Sequence, residues 1–146
     1  MINKILVPVD GSAHSKKALE FACELAKKFD SQLHLLHVVQ PPISTQTVSI
    51  GEPAIRTSFR HRDLEEIGHN LMEAAMQIAT DHDCINVKTQ IEAGLPAHQI
   101  IDNAKKHDAS LIIMGSRGLT DLAGLLQGSV SHKVTHLAEC SCLTIR

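Results

Sequence analysis

The sequence contains few aromatic residues: three phenylalanines, no tyrosine and no tryptophan. Proteins that hold single-stranded nucleic acid stack its bases on aromatic rings, so this scarcity argues against such a partner. The formal net charge is −2 with the histidines neutral, which leaves no electrostatic case for binding nucleic acid or an anionic membrane. No apolar run approaches the roughly 18 residues of a membrane-spanning helix. We therefore expect neither nucleic acid nor a membrane as a partner.

The N-terminus also lacks the charged start, the long apolar stretch and the cleavage site of a signal peptide. We therefore expect a cytoplasmic protein, in which thiols are normally kept reduced. The cysteines concerned are Cys23, Cys84, Cys140 and Cys142. With 146 residues, 43% of them apolar and 21% charged, the chain has the balance of one globular domain over residues 1–146.

Apolar runs and helical stripes alternate along the chain. The runs predict strands at 4–9, 33–39, 86–92, 111–114 and 142–145. The stripes predict four helices: one that Ser12 can cap and that runs to about residue 29, and others at about 58–83, at about 96–107 and from Ser129. The expected buried stripe of the second helix is Leu64, Ile67, Leu71, Ala74, Ala75 and Ile78. Such alternation is typical of a parallel sheet with helices on both faces, which binds ligands at the carboxyl ends of its strands. Residues 40–57 have no clear period and are either a mobile connector or a lid.

The stretch from 111 to 131 carries the main candidate site. A buried strand is followed by Gly115 and Gly118, and nine residues later by Gly128, directly before Ser129. Glycine lets a ligand approach the backbone closely, and the free N–H groups at a helix start favour a phosphate. The hydroxyl of Ser129, as a helix N-cap, and that of Ser131 would add donors. The same letters would also arise from glycines that only turn the chain and a serine that only caps the helix.

Four segments of the sequence resemble the universal stress protein family. Residues 114–118, Met-Gly-Ser-Arg-Gly, followed after nine residues by Gly128-Ser129, look like its nucleotide loop. Residues 5–12 look like its first strand and turn, while 37–39 and 94–96 are similar to the end of its second strand and its third strand-to-helix turn. The four segments together, in the family's order, cover essentially the whole chain and are far more specific than any one of them.

The resemblance implies a Rossmann-like α/β fold: one doubly wound, five-stranded parallel sheet in the order 3-2-1-4-5, with helices on both faces. It implies that ATP, or ADP or AMP, binds with or without Mg²⁺ where strands one and four end, and that the protein acts in a stress response. It also implies a homodimer formed partly through the last strand, whose Leu143 and Ile145 would gain from cover. The protein partner that such a regulator would address is not identified by the sequence. The implied binding residues are Pro8, Val9, Asp10, Val38, Met114, Gly115, Arg117, Gly118, Gly128, Ser129, Val130 and Ser131.

Several of these residues have a second interpretation. Asp10 would accept hydrogen bonds from a ribose hydroxyl or the base, or would only tie its own turn. Val38 would pack against a purine, or would be plain core. Backbone groups of Val9 and Met114 are further candidate contacts to the base. For Arg117 we expect a solvated side chain and a ligand contact through the local backbone.

No arrangement of residues predicts catalysis. The sequence shows no nucleophile–base pair and no G-x-x-x-x-G-K-[ST] motif, so no lysine is placed to draw charge from a transferred phosphoryl group. Fast ATP hydrolysis is therefore not expected, and no residue is assigned a catalytic role. A slow Mg²⁺-dependent ATPase or nucleotide transferase, and a nucleotide-free interaction module, remain as alternatives.

A zinc site is a further alternative near the C-terminus. His132 and His136 are one helical turn apart, and Cys140 and Cys142 follow, so the ligand types suit zinc. The usual C-x-x-C spacing is absent, however, and surface histidines with a buried Cys142 explain the same residues. The segment 139–142 also departs from the family, which commonly has a proline there.

Overall fold

The computed structural model describes residues 1–40, 61–119 and 127–146. Of the expected connector or lid at 40–57, only Gln40 falls within these ranges. The described residues form five strands and four helices in strict alternation: β1 (Lys4–Pro8), α1 (Ala13–Phe29), β2 (Gln32–Val39), α2 (His61–Asp81), β3 (Val87–Ala93), α3 (Pro96–Lys106), β4 (Leu111–Gly115), α4 (Ser129–Leu137) and β5 (Ser141–Ile145). None of the helices in the described ranges is both long and apolar enough to span a bilayer.

The strands form one parallel sheet in the order β3-β2-β1-β4-β5. This confirms the expected fold class and the strand order 3-2-1-4-5. The order reverses at β1: the first half of the chain adds β2 and β3 on one side of β1, and the second half adds β4 and β5 on the other side. Ile5 pairs with Leu111 and Leu6 with Ile112, so β1 and β4 end side by side at the reversal. Open sheets of this kind bind ligands at that point.

Helices cover both faces of the sheet and produce two hydrophobic cores. Successive strand residues point to opposite faces. Ile5 and Val7 therefore join the core under α1 and α2, while Leu6 joins the core under α3 and α4. This explains the unbroken apolar run in β1, because a strand in the middle of a covered sheet has no solvent face. At the edge, β3 carries exposed Lys88 instead.

The buried stripe of α2 differs from the predicted one. Leu71, Ala75 and Ile78 do face the core, but Ile67 is 57% exposed and Ala74 is exposed as well. The helix turns a different line of residues toward the sheet: Gly68, Met72, Ala75 and Ala79. The physical reason is Gly68, whose missing side chain lets the helix approach β2 closely at His37 and Val39. The helix is therefore rotated about its axis so that this line of residues, instead of the predicted one, faces the sheet.

Candidate functional site

A cavity of about 350 Å³ opens at the carboxyl ends of β1, β2 and β4, where the strand order reverses. The fold brings all the binding residues that the family resemblance implied to its wall, with the exception of Gly128. The helices α2, α3 and α4 complete the wall through their first turns and the residues beside them. Residues that are far apart in the sequence therefore meet at one place, and this place is where the topology predicts a ligand.

The cavity has an apolar end and a polar end. The apolar end is built from β2, α2 and α3, and its residues include Val38, Val39, Leu64, Ile67, Pro96 and Ile100. The polar end is built from β1, α1 and the loop after β4, and its residues include Asp10, Ser15, Arg117, Ser129 and Ser131. A flat heterocycle suits the first end, and a sugar or phosphate, which needs hydrogen-bonding groups, suits the second.

Asp10 ties its own turn and also lines the cavity. Its Oδ1 accepts a hydrogen bond of 2.9 Å from the backbone N–H of Ser12, so the carboxylate ties its own turn. The side chain nevertheless lines the cavity, and Oδ2 has no hydrogen-bond partner within the described ranges. The turn also depends on Gly11, whose φ of 84° lies in the left-handed region that favours glycine. A carboxylate is thus held in place with one oxygen available as an acceptor.

The first turn of α1 packs directly behind the start of the loop. Ser12 is the N-cap of α1, as predicted, because its side chain accepts a hydrogen bond of 3.1 Å from the Ser15 N–H. A Cβ added at Gly115 would lie 2.8 Å from the carbonyl carbon of His14 and 2.8 Å from the nitrogen of Ser15. Such distances are far shorter than ordinary contacts. Gly115 is therefore required for the close approach of α1 to β4, independently of any ligand.

The two ends of the loop after β4 are joined through Ser116. Its carbonyl oxygen accepts hydrogen bonds from the Gly128 N–H at 2.7 Å and from the Ser131 hydroxyl at 2.8 Å. The Ser131 hydroxyl also lies 3.0 Å from the carbonyl oxygen of Gly128. Its single proton is therefore engaged inside the protein, and Ser131 holds Ser116 and Gly128 together instead of offering that proton to a ligand.

The start of α4 corrects one expectation. The N-cap is Gly128, with φ −75° and ψ 160°, and Ser129 is already the first helical residue. The prediction of Ser129 as the cap was therefore wrong by one position, since the extended residue that precedes a helix is its cap. The Ser129 side chain is exposed and lines the cavity, and no side chain caps this helix. The first N–H groups of α4 thus have no partner within the helix.

Arg117 corrects a second expectation, that its side chain is solvated. The residue is half-buried, and its Nη2 donates to Nε2 of His14 at 3.4 Å. Its carbonyl oxygen accepts a hydrogen bond of 3.4 Å from the Ser12 hydroxyl. A guanidinium can only donate, so Nε2 of His14 is the acceptor. The contact with α1 positions a positive charge at the polar end of the cavity.

Sequence reasoning missed His37, Leu64 and Ile67 as cavity residues. Both apolar residues were assigned to the core because their helical spacing fits a buried stripe, and His37 was noted only as part of a resemblance. A signal was available: His37 precedes Val38 at the carboxyl end of β2, and every residue there is near the cavity. For Leu64 and Ile67, no signal in the sequence marks the face of α2 that they occupy.

The histidines and cysteines near the C-terminus do not converge. His132 and His136 share a face of α4, with ring centroids 4.4 Å apart in an edge-to-face arrangement. Burial raises the pKa of the Cys142 thiol to about 11, and its Sγ donates to the carbonyl oxygen of Cys140 at 3.6 Å. The thiolate that would bind zinc is therefore disfavoured. Within the described ranges, no three histidine, cysteine or acidic side chains gather as metal ligands would.

The sequence as a whole matches one known protein family. The model of the universal stress protein family matches residues 1–146. The chain belongs to the universal stress protein family. Universal stress protein YxiE of Bacillus subtilis is 37% identical over 149 aligned residues, which cover all of both chains. Universal stress protein MJ0531 of Methanocaldococcus jannaschii is 31% identical over 147 aligned residues, which cover all of this chain and 83% of that one.

Solved structures of the family have the same fold. Universal stress protein UspA from Lactobacillus plantarum superposes with a TM-score of 0.75 at 28% identity, over 99% of this chain and 98% of the other. A universal stress protein in complex with cAMP superposes with a TM-score of 0.75 at 20% identity, over 99% and 97%. One from Archaeoglobus fulgidus in complex with dAMP gives 0.72 at 23% identity, over the whole of both chains. Members of the family thus bind adenine nucleotides on this fold.

Proposed function

We propose that this protein binds an adenine nucleotide, ATP in the first place and ADP or AMP as alternatives, and that the bound nucleotide regulates a protein partner in a cytoplasmic stress response. The observation that carries the proposal is that one cavity combines an apolar end beside β2 with a hydrogen-bonding end beside the loop after β4. The complexes of family members with cAMP and dAMP support adenine as the base.

The two ends of the cavity support a proposed position for each part of the nucleotide. The base packs at the apolar end, against Val38 and near the backbones of Val9 and Met114. A ribose hydroxyl donates to Oδ2 of Asp10. The phosphates lie at the polar end, where the free N–H groups at the start of α4 and the charge of Arg117 favour an anion.

The same residues favour binding over turnover. Asp10 is the one carboxylate among the described residues that line the cavity, so Mg²⁺ would be carried mainly by the phosphates and water. No lysine lines the described part of the cavity, so nothing there resembles the charge that a P-loop places on a transferred phosphoryl group. The slow ATPase therefore has no specific observation in its favour.

Thermal unfolding with added nucleotide tests the proposal. ATP at 100 times its Kd should add about 2.7 kcal/mol to the free energy of unfolding, a rise in Tm of about 5–10 °C for a chain of this length. ADP and AMP should raise Tm less, and GTP little. No rise with any nucleotide would contradict the proposal and would favour the nucleotide-free interaction module.

Ser129→Glu, with Ser129→Gln as the matched neutral control, tests the position of the phosphates. A carboxylate in the first turn of α4 should raise the stability of the nucleotide-free protein by about 0.3–1 kcal/mol, because it faces the positive end of the helix. The same charge should weaken ATP binding about tenfold or more by repelling the phosphates. The glutamine variant should bind nearly as the parent does. Equal ATP affinity of both variants would place the phosphates elsewhere.

We also propose that the protein is a homodimer formed through β5. This strand is an edge of the sheet. Its Leu143 lies on the sheet face that packs against α1 and is 36% exposed. An exposed strand edge with apolar residues gains from pairing with a second copy. Sedimentation of the parent protein should give twice the chain mass, and Leu143→Asp should give the chain mass; a monomeric parent would contradict the assignment.

A further inference from the structure

His37 is the polar side chain on the α2 side of the cavity. It lies near the end of β2, and the alternation of the strand directs it to the opposite face from Val38, toward α2. The other described cavity residues of α2 are apolar, Leu64 and Ile67. Among the described residues of α2 and the end of β2 on this side, a ligand therefore meets His37 as a group capable of a directional hydrogen bond beside apolar Leu64 and Ile67.

The protonation of the His37 ring follows from its contact with β1. Its Nδ1 lies 2.8 Å from the carbonyl oxygen of Val9. A carbonyl oxygen only accepts, so Nδ1 carries the proton, and in a neutral imidazole the other nitrogen, Nε2, is then an acceptor. The N–H of Val9 donates to the carbonyl oxygen of Leu36 at 2.9 Å, which ties the end of β1 to β2 next to the ring. The ring orientation is thereby fixed.

The acceptor edge of the ring lies beside a glycine. A Cβ added at Gly68 would be 3.2 Å from Cδ2 and 3.7 Å from Nε2 of His37, so α2 packs beside this edge of the ring with bare backbone and places no Gly68 side chain on it. Nε2 has no hydrogen-bond partner within the described ranges. Among the described residues, a half-buried acceptor at the wall of the cavity is thus left without a donor.

We infer that His37 selects the base: its Nε2 accepts a hydrogen bond from the exocyclic 6-amino group of adenine and disfavours purines with a 6-oxo group. The inference rests on the proposed nucleotide function. A 6-oxo purine would turn an oxygen toward the Nε2 lone pair, so two acceptors would meet and neither would be satisfied. The loss of one such hydrogen bond corresponds to about tenfold in affinity or more.

The test compares ATP with inosine triphosphate, which differs from ATP only in its purine ring. It uses the full chain, His37→Asn and His37→Gln. The asparagine amide reaches the position of Nδ1 and keeps the donor to Val9, but it leaves no acceptor at the position of Nε2. The glutamine amide reaches the position of Nε2 and keeps an acceptor there. Fluorescence or calorimetric titration gives the ratio of the two affinities for each protein.

The parent should prefer ATP over inosine triphosphate by about tenfold or more. In His37→Asn the ratio should fall close to one, mainly through weaker ATP binding, while His37→Gln should keep most of the preference. A His37→Asn variant that keeps the parent's ratio would overturn the role of His37 while leaving nucleotide binding intact. If the asparagine variant does not fold, a His37→Gln ratio equal to one would overturn it instead. A parent that binds neither nucleotide would overturn the proposed function itself.

Discussion

Gly115 offers the most direct check on how the site is built, because its role in packing can be separated from any role in binding. Gly115→Ala adds one methyl group at the end of β4. That group would stand 2.8 Å from two backbone atoms, the carbonyl carbon of His14 and the nitrogen of Ser15. Neither atom can move by a side-chain rotation. Relief therefore requires α1 to shift away from the sheet by several tenths of an ångström.

The size of the effect follows from two opposing contributions. Forcing an extra methyl into a packed interior costs about 1–3 kcal/mol, and the higher part of this range applies where backbone has to move. Replacing glycine by alanine also restricts the unfolded chain, which returns about 0.4–1 kcal/mol. The net loss should be about 2 kcal/mol, or about 4–8 °C in Tm for a chain of this length.

Thermal and urea unfolding without nucleotide measure this loss, so that ligand binding does not enter. Gly68→Ala is the matched control, because its methyl would meet only side chains, those of His37 at 3.2 Å and Val39 at 3.5 Å, and would gain about 1 kcal/mol in helix propensity. The control should be neutral or slightly stabilising. A Gly115→Ala variant as stable as its parent would refute the packing role, and the glycine would then have to be explained by the ligand.

Two further predictions concern titratable groups. Burial, followed by the neighbouring His107, lowers the pKa of His34 from its ordinary value of 6.5. The folded state therefore takes up its proton less readily than the unfolded state, so the free energy of unfolding should be constant above about pH 6.5 and fall below it. Urea unfolding at pH 7.5 and 5.5 measures this loss, and His34→Gln should reduce it; an unchanged pH dependence would exclude His34 as its source. Burial, followed by Cys84, raises the pKa of Cys23 to about 12, so native Cys23 should resist iodoacetamide at pH 7.5 while the unfolded chain reacts. Rapid labelling of native Cys23 would contradict its burial.

Much of the fold could be predicted because its signals are local. Apolar runs placed the strands within one or two residues, and the cap at Ser12 was correct because an N-cap depends on neighbouring backbone. The strand order came from the resemblance to the family, since period and composition do not specify which strands pair.

The candidate site was predicted only as far as single residues allow. The contact between His14 and Arg117 joins positions 103 apart in the sequence, and nothing near either one indicates the other. The predicted buried face of α2 was wrong for the same reason, because the packing role of Gly68 depends on its contact with His37 in β2. Spacing identifies which residues turn or cap the chain, but the acceptor and donor roles at a cavity depend on partners that only the folded chain supplies.

The backbone of Ser116 connects the cavity to the edge of the sheet. Its carbonyl oxygen accepts hydrogen bonds from the Gly128 N–H and the Ser131 hydroxyl, at the start of α4. Its N–H donates at 2.7 Å to the carbonyl oxygen of Ile145 at the end of β5. A partner that held β5 would restrain Ser116 and, through it, the loop. Thermodynamic linkage then requires reciprocity: whatever factor such a partner applies to nucleotide affinity, the nucleotide applies to the affinity for that partner. Ser116 would thus couple nucleotide binding at the cavity to partner binding at β5, each affecting the other equally.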